Sequence, residues 1–485
     1  MTRSGNDIGS DDSKDIQSTA SRDTIRKLLT SYRYPGYPPS DLSIHSSFEQ
    51  PHLTFDRSTN RFSCNPSDGA HFQPLNSPSD SAAKPPITGP RILVYMIPGN
   101  PGLVEFYDRF LSVLCSSFDA IGGCEAVCCG HLGHSLRHNS NLDLRFLDNF
   151  KLWNHLFDSS SPSDDPTPNH GRQSSREINP PAVGSLTDQI EFHCHLVGQI
   201  VHEGIKDPTH IKLVIMGHSV GGYIATKVLE RYPDQVMHII GLFPTLSHIG
   251  RSPNGLRLSP LFSPILLPFL NILQIVFCLT LPKMIIFRLI TLYYSPISGT
   301  RNDHQPANKN QLMKAKDLSE QNLLIILNFI LNINSVTAVL KMARSEMKSI
   351  CELDRQFIHR FNRQMTIFWA SHQADEWVGE TEITEIIDLL NLYSEPTHDS
   401  PSEENHSRLR PTHQPSDLEA PTSIDDQPPP TFEDTVIENQ SHVIPTEKVP
   451  VWKRMDEGIP HAFCLKDNEV MAKECSALIK QRLSN

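Results

Sequence analysis

The sequence predicts an α/β fold, with a mostly parallel central sheet flanked by helices and interrupted by a helical, apolar insertion. Three observations carry that reading. Short apolar runs of strand length alternate with stretches of helical spacing, starting at "RILVYMIPGNPG" (91–102). The runs are apolar along their whole length, as in parallel strands covered on both faces. After Leu246 the alternation stops, and it resumes only at "QMTIFWASHQADEW" (364–377).

In chain order, residues 1–87 are rich in Ser, Asp and Pro and poor in apolar periodicity, so they are expected to be mostly disordered, with a short strand near "PHLTF". The core opens over 88–245. There "LVEFYDRFLSVLCSSF" has helical spacing, "EAVCC" (125–129) reads as a strand, and "GHLGHS" (130–135) is the loop after it. A low-complexity insertion follows at 159–181. "SLTDQIEFHCHLVGQIVHEGI" resumes the helical pattern, with Ser185 and Asp188 at capping-box spacing. "IKLVIMG", "VGGYIATKVLERY" and "QVMHIIGLFPT" are strand, helix and strand. Residues 246–363 form the helical insertion. The core resumes over 364–393, which adds the helix "ITEIIDLLNLY", and over 446–485, which closes with the helix "NEVMAKECSALIKQRL". Between these two pieces, 394–445 is Pro-rich, acidic and expected to be disordered. Alternation of this kind makes βαβ units.

The net charge of −12 is unevenly spread: Glu395 to Glu438 holds 11 acidic residues against Arg408 and Arg410, a local net of −9. The acidity therefore belongs to one segment, and the composition argues against a nucleic-acid partner. Ten cysteines lack metal or disulfide spacing, and residues 1–30 hold no apolar stretch of the secretory kind. Free thiols in a reducing compartment are the expectation.

The stretch that carries chemistry is "KLVIMGHSVGGYIATKVLE" (212–230), a buried strand running through Gly217-His218-Ser219-Val220-Gly221 straight into a helix. Strand, Gly-x-Ser-x-Gly and helix make the nucleophile elbow of the α/β-hydrolase fold. Strained backbone angles push the serine Oγ above the sheet, and the flanking glycines remove Cβ atoms that would clash. The helix N-terminus also aims amides at the point where an oxyanion forms. A glycine-rich turn that merely packs helix on strand is the plainer alternative.

A serine hydroxyl needs a base, and this fold supplies its acid and base in the chain order Ser, acid, His. His461, in "GIPHAFCL" between the last strand and the last helix, is the candidate base; Asp375, five residues past "MTIFWA", is the candidate acid, with its neighbour Glu376 as runner-up. The candidate oxyanion donors are the amide of Val220, just after the nucleophile, and Asn100 in the turn "PGNPG". That turn lacks the glycine pattern and lysine of a phosphate loop. "GHLGHS" could hold a metal pair, but no third ligand follows at suitable spacing, and a loop at the rim of the site is the better reading. The chemistry requires no cofactor and no metal.

The insertion contains 25 residues without a charge, Leu258 to Pro282, broken by Pro260, Pro264 and Pro268, then a second apolar piece to 294 that carries Arg288. The length could span a bilayer. The breaks, with Lys283 and Arg288 between apolar pieces, fit better with helices lying in a lipid interface (258–294), through which an insoluble ester could enter. A buried cap of a soluble enzyme is the other alternative.

These residues resemble a known family. "IPGNPG" (97–102), "GHLGH" (130–134), "GHSVGGY" (217–223), Asp375 in its loop, "HAF" (461–463) and the proline-broken cap are similar to the lipid droplet-associated hydrolases, over about 90–157, 185–393 and 446–483. The resemblance implies Ser219 as nucleophile, Asp375 as acid and His461 as base. It also implies lipid-droplet and endoplasmic reticulum association, and hydrolysis of neutral lipid esters such as sterol esters. A droplet-organising protein with a weak or vestigial active site is the competing reading.

Overall fold

Period-two alternation along the central strands sorts their side chains onto two faces. The computed structural model describes residues 25–35, 37, 39–48, 53–64, 91–119, 121–136, 184–205, 211–263, 265–294, 318–371, 375–394, 451–455 and 459–484. The expected disordered stretch 159–181 lies outside these residues, and so does 394–445 except for Ser394, which ends a helix. The elements are β1 (Arg26–Tyr32), β2 (Ser40–Ser46), β3 (Leu53–Asp56), β4 (Arg61–Cys64), β5 (Arg91–Ile97), α1 (Asp108–Ser116), β6 (Cys124–Cys129), α2 (Leu186–Gln199), β7 (Ile211–His218), α3 (Val220–Arg231) and β8 (Val236–Leu242). They continue with α4 (Pro253–Leu258), α5 (Leu266–Thr280), α6 (Lys283–Tyr294), α7 (Glu320–Leu331), α8 (Ile333–Ser349), α9 (Arg355–Phe361), β9 (Met365–Trp369), α10 (Glu380–Ser394), β10 (Trp452–Arg454) and α11 (Asn468–Ser484).

Eight strands form one sheet in the order β1-β2-β6-β5-β7-β8-β9-β10. From β6 to β10 all neighbours are parallel, while β1 and β2 run antiparallel at one edge. In β5, Leu93, Tyr95 and Ile97 join one core with α2, α3, α9 and α10. Ile92, Val94 and Met96 join the other, with α1 and α11. Helices on both faces of a parallel sheet make the expected α/β-hydrolase architecture. The predicted cap of α2 forms as expected: Ser185 accepts from the Asp188 amide at 3.2 Å.

The N-terminal arm departs from expectation. Residues 26–32 and 40–46 are not disordered chain but two strands of the main sheet, and "PHLTF" supplies β3 of a separate hairpin with β4. The sequence hid β1 and β2 because β2, "SDLSIHS", is polar at five of its seven positions yet wholly buried. Its Leu42 and Ile44 enter the α2 side of the core. On β2, His45 Nε2 lies 3.5 Å from Asp108 Oδ1, and Asp108 also pairs with Lys27 of β1. Buried polar groups with partners make a strand that looks like a loop on paper.

Residues 246–363 contain helices and no strand among the described residues, as expected. The prolines break the apolar run, where α4 with its following turn meets α5 at 82°; the proline-free α7 and α8 meet at 88° across Asn332, whose side chain caps α8. Among the described residues no single helix is long and apolar enough to cross a membrane, though these two bent pairs pass that test together. Helices α6 and α7 share a small apolar core of their own around Ile286, Ile290 and Leu327. Helix α5 inverts the usual pattern: its one buried residue is the polar Asn271, while Leu273 and Leu279 are 64% and 70% exposed.

Candidate active site

Strand β7 ends at His218 and α3 begins at Val220, so Ser219 alone makes the corner. Its backbone sits at φ 52°, ψ −123°, a region that costs a non-glycine residue about 1–3 kcal/mol. The corner is held by its surroundings: the Ser219 amide donates to Leu242 O at 3.0 Å, and its carbonyl accepts from the Gly222 and Thr245 amides. The flanking glycines are required by close approach. A Cβ on Gly217 would come within 2.3 Å of Gly221 O, and one on Gly221 within 2.3 Å of Ile97 O.

Asp375 and His461, 86 residues apart, meet: His461 Nδ1 lies 2.9 Å from Asp375 Oδ2. The other carboxylate oxygen accepts from the amides of Trp377 and Val378 at 2.8 and 3.0 Å. Burial pushes the Asp375 carboxyl up, but the His461 partner and the two amides outweigh it and hold the group below the usual carboxylate range. An ionised Asp375 makes Nδ1 of His461 the protonated nitrogen and leaves Nε2 as the basic one. That Nε2 is buried and has no hydrogen-bond partner among the described residues, and no bond joins it to Ser219 Oγ. The runner-up, Glu376, is turned away to pair with Arg257 of α4 at 3.1 Å.

Two residues at the site were not singled out in the sequence. Tyr107 Oη accepts from the Gly99 amide at 2.9 Å and lies 2.7 Å from His218 Nδ1; His218 Nε2 lies 2.8 Å from the carbonyl oxygen of His461. A carbonyl can only accept, so His218 carries its proton on Nε2, and Tyr107 donates to Nδ1. Burial holds the His218 imidazole down to about 3, so it stays neutral. The relay ties three loops together: the turn at 97–102, the elbow and the His461 segment. The contact of His218 with a residue 243 positions away left no local signal.

The turn "IPGNPG" has few spare donors. Pro98 and Pro101 carry no N–H, Gly99 donates to Tyr107, and Gly102 to Gly99 O. The Asn100 amide remains without a partner among the described residues. The Asn100 side chain points elsewhere, its Nδ2 donating to Val339 O at 3.2 Å and Glu346 Oε1 at 3.0 Å. At the other donor position, Val220 is the first residue of α3, whose leading amides have no intrahelical acceptor.

The histidines of "GHLGH" sit under the turn rather than at an open rim. His134 Nδ1 donates to Pro101 O at 2.7 Å, and His131 Nδ1 lies 3.0 Å from Nε2 of His193, which also meets Tyr95 Oη. Burial pushes His134 down to about 4 and His193 to about 3, so both are neutral packing groups. Among the described residues, no cluster of three side chains could hold a metal.

Comparison with known proteins places this chain in a family. A family model described as lipid-droplet associated hydrolase matches residues 90–406. The chain is 30% identical over 178 residues to a lipid droplet-associated hydrolase of Pongo abelii, covering 36% of this chain and 43% of that protein. It is 30% identical over 181 residues to the one of Rattus norvegicus, covering 36% and 44%. The aligned stretch thus spans less than half the length of these relatives. Against the protein of the same name from Gallus gallus identity is 22% over 298 residues, covering 61% and 74%. Among solved structures, the chain is similar to a serine hydrolase from Cycloclasticus zankles (11% identity, 75% and 86% covered, TM-score 0.34) and a carboxyl esterase from Bacillus coagulans (13%, 76% and 87%, TM-score 0.33). With its match running from the strand before the turn through the elbow and the whole apolar insertion, the chain belongs to the lipid-droplet associated hydrolases.

Proposed function

We propose that the chain is a serine hydrolase that cleaves carboxylic esters of neutral lipids, sterol esters or acylglycerols, at the surface of a lipid droplet or of the endoplasmic reticulum. The observation that carries this reading is the buried Asp375–His461 pair at 2.9 Å, tied through the His461 carbonyl to the residue next to Ser219. In the reaction, Ser219 Oγ attacks the ester carbonyl while His461 Nε2 takes its proton. The amides of Val220 and Asn100 stabilise the tetrahedral oxyanion. Collapse expels the alcohol, which receives the proton from His461, and leaves an acyl group on Ser219. Water, deprotonated by the same imidazole, then releases the fatty acid.

The inverted polarity of α5 supports the lipid surface as partner. Exposed Phe269, Ile272, Leu273, Val276 and Leu279 around one buried asparagine are costly in water and comfortable in an acyl-chain boundary. No nucleic-acid partner and no cofactor enter the reading. The test is an ester panel on purified protein, with fluorophosphonate capture of the serine. Wild type should label and turn over lipid esters; Ser219→Ala should do neither. Droplet binding that persists in a wild type inert towards both probe and ester would instead support a droplet-organising role.

A further inference from the structure

Helix α8 carries a carboxyl group that the proposed chemistry does not use. Glu346 is 4% exposed, and burial pushes its carboxyl up to about 7, against the opposing effect of its bond to Asn100. Burying a carboxyl costs free energy that an alanine or leucine at the same place would not incur. What the side chain does there is accept from Asn100 Nδ2 at 3.0 Å, while the α8 carbonyl of Val339 accepts from the same nitrogen. Helix α8 is otherwise well anchored. Asn332 and Ser335 both donate to Ser135 O, and Ser345 Oγ accepts from the Leu186 amide at the start of α2. Its Thr337 donates to Asn271, the one buried residue of α5. One helix therefore touches both the apolar, outward-facing α5 and the turn that holds the unpaired Asn100 amide.

We infer that Glu346 is a positioning residue for ester cleavage: by gripping the Asn100 side chain from the cap, it fixes the turn whose Asn100 amide is the second oxyanion donor. The inference rests on the hydrolase reading above and adds to it a dependence of the oxyanion site on the seating of the cap. A carboxyl or a carboxamide oxygen can accept the Asn100 N–H, whereas a methyl group cannot. The side chain's role is thus distinguishable from its bulk or charge.

The test uses the full chain and a soluble probe ester, p-nitrophenyl butyrate, with active serines counted by fluorophosphonate titration. Wild type against Ser219→Ala is measured first; an inert wild type sinks the hydrolase reading, and this inference with it. With an active wild type, Glu346→Ala should lower kcat per titrated serine about ten- to a hundredfold, the scale of a misplacement near 1 Å, with KM nearly unchanged. Glu346→Gln should recover most of that loss. Asn100→Ala, which removes the same bond from the other side and keeps α8 intact should Glu346→Ala fold poorly, should lower kcat equally. The double variant should be no worse than either single one. Wild-type kcat per titrated serine in Glu346→Ala or Asn100→Ala would overturn the inference, as would additive losses or a failure of Gln to restore turnover.

Discussion

At the scale of the residue, the corner serine stores backbone strain. A glycine occupies φ 52°, ψ −123° without a Cβ penalty, so Ser219→Gly should be more stable than Ser219→Ala by about 1 kcal/mol, read as a higher Tm, while both are inert. Asp375 fixes the proton of His461 on Nδ1, and its loss leaves the wrong tautomer. Asp375→Asn should lower kcat by about 10⁴ in an ester assay, and Glu376→Gln, which only cuts a surface pair with Arg257, should stay near wild type. Glu346 gives a pH signature with a definite sign. Its folded value of about 7 lies above the ordinary 4.5, so the folded chain holds the extra proton between those pH values. Stability associated with this group is complete below about pH 4.5 and falls as pH rises through 7. Glu346→Gln removes the titration. Its stability advantage over wild type in chemical unfolding should be smallest at and below pH 4.5 and grow to a plateau above pH 7, on the order of 3 kcal/mol.

Elements make a different set of demands. Strand β2 pairs with β6 from Leu42↔Cys129 to Ser46↔Glu125 and closes one edge of the parallel sheet. It lies outside the stretch matched by the family model, which begins at residue 90. Leu42 is fully buried, so Leu42→Ala should cost about 2–5 kcal/mol in chemical unfolding, although the arm containing it looks dispensable on paper. Helix α5 makes the opposite case. Leu273 and Leu279 face outward, so Leu273→Glu with Leu279→Glu should leave Tm almost unchanged and release the protein from phospholipid-coated triolein droplets in a flotation assay. Retention of the charged variant on droplets would reject α5 as the lipid-facing helix.

For the whole molecule, what the sequence made legible was what chemistry or periodicity concentrates locally. Gly217-His218-Ser219-Val220-Gly221 announced the elbow, and chain order alone pointed to Asp375 and His461, which the fold brings within 2.9 Å. The parallel sheet was legible because its strands are apolar along their length. Tyr107, His218 and Glu346 were not, since each acts through a partner remote in sequence, 246 residues away for Glu346 and Asn100. Strands β1 and β2 were missed because buried serines, an aspartate and a histidine imitate a solvated arm. The direction of α5 has a last consequence, for the protein away from any lipid. Outward leucines that suit an acyl phase also suit one another, so a detergent-free preparation should form concentration-dependent assemblies by sedimentation. Micelles of a nonionic surfactant should dissolve those assemblies into single chains, and the doubly glutamate-substituted α5 should sediment as a single chain without them.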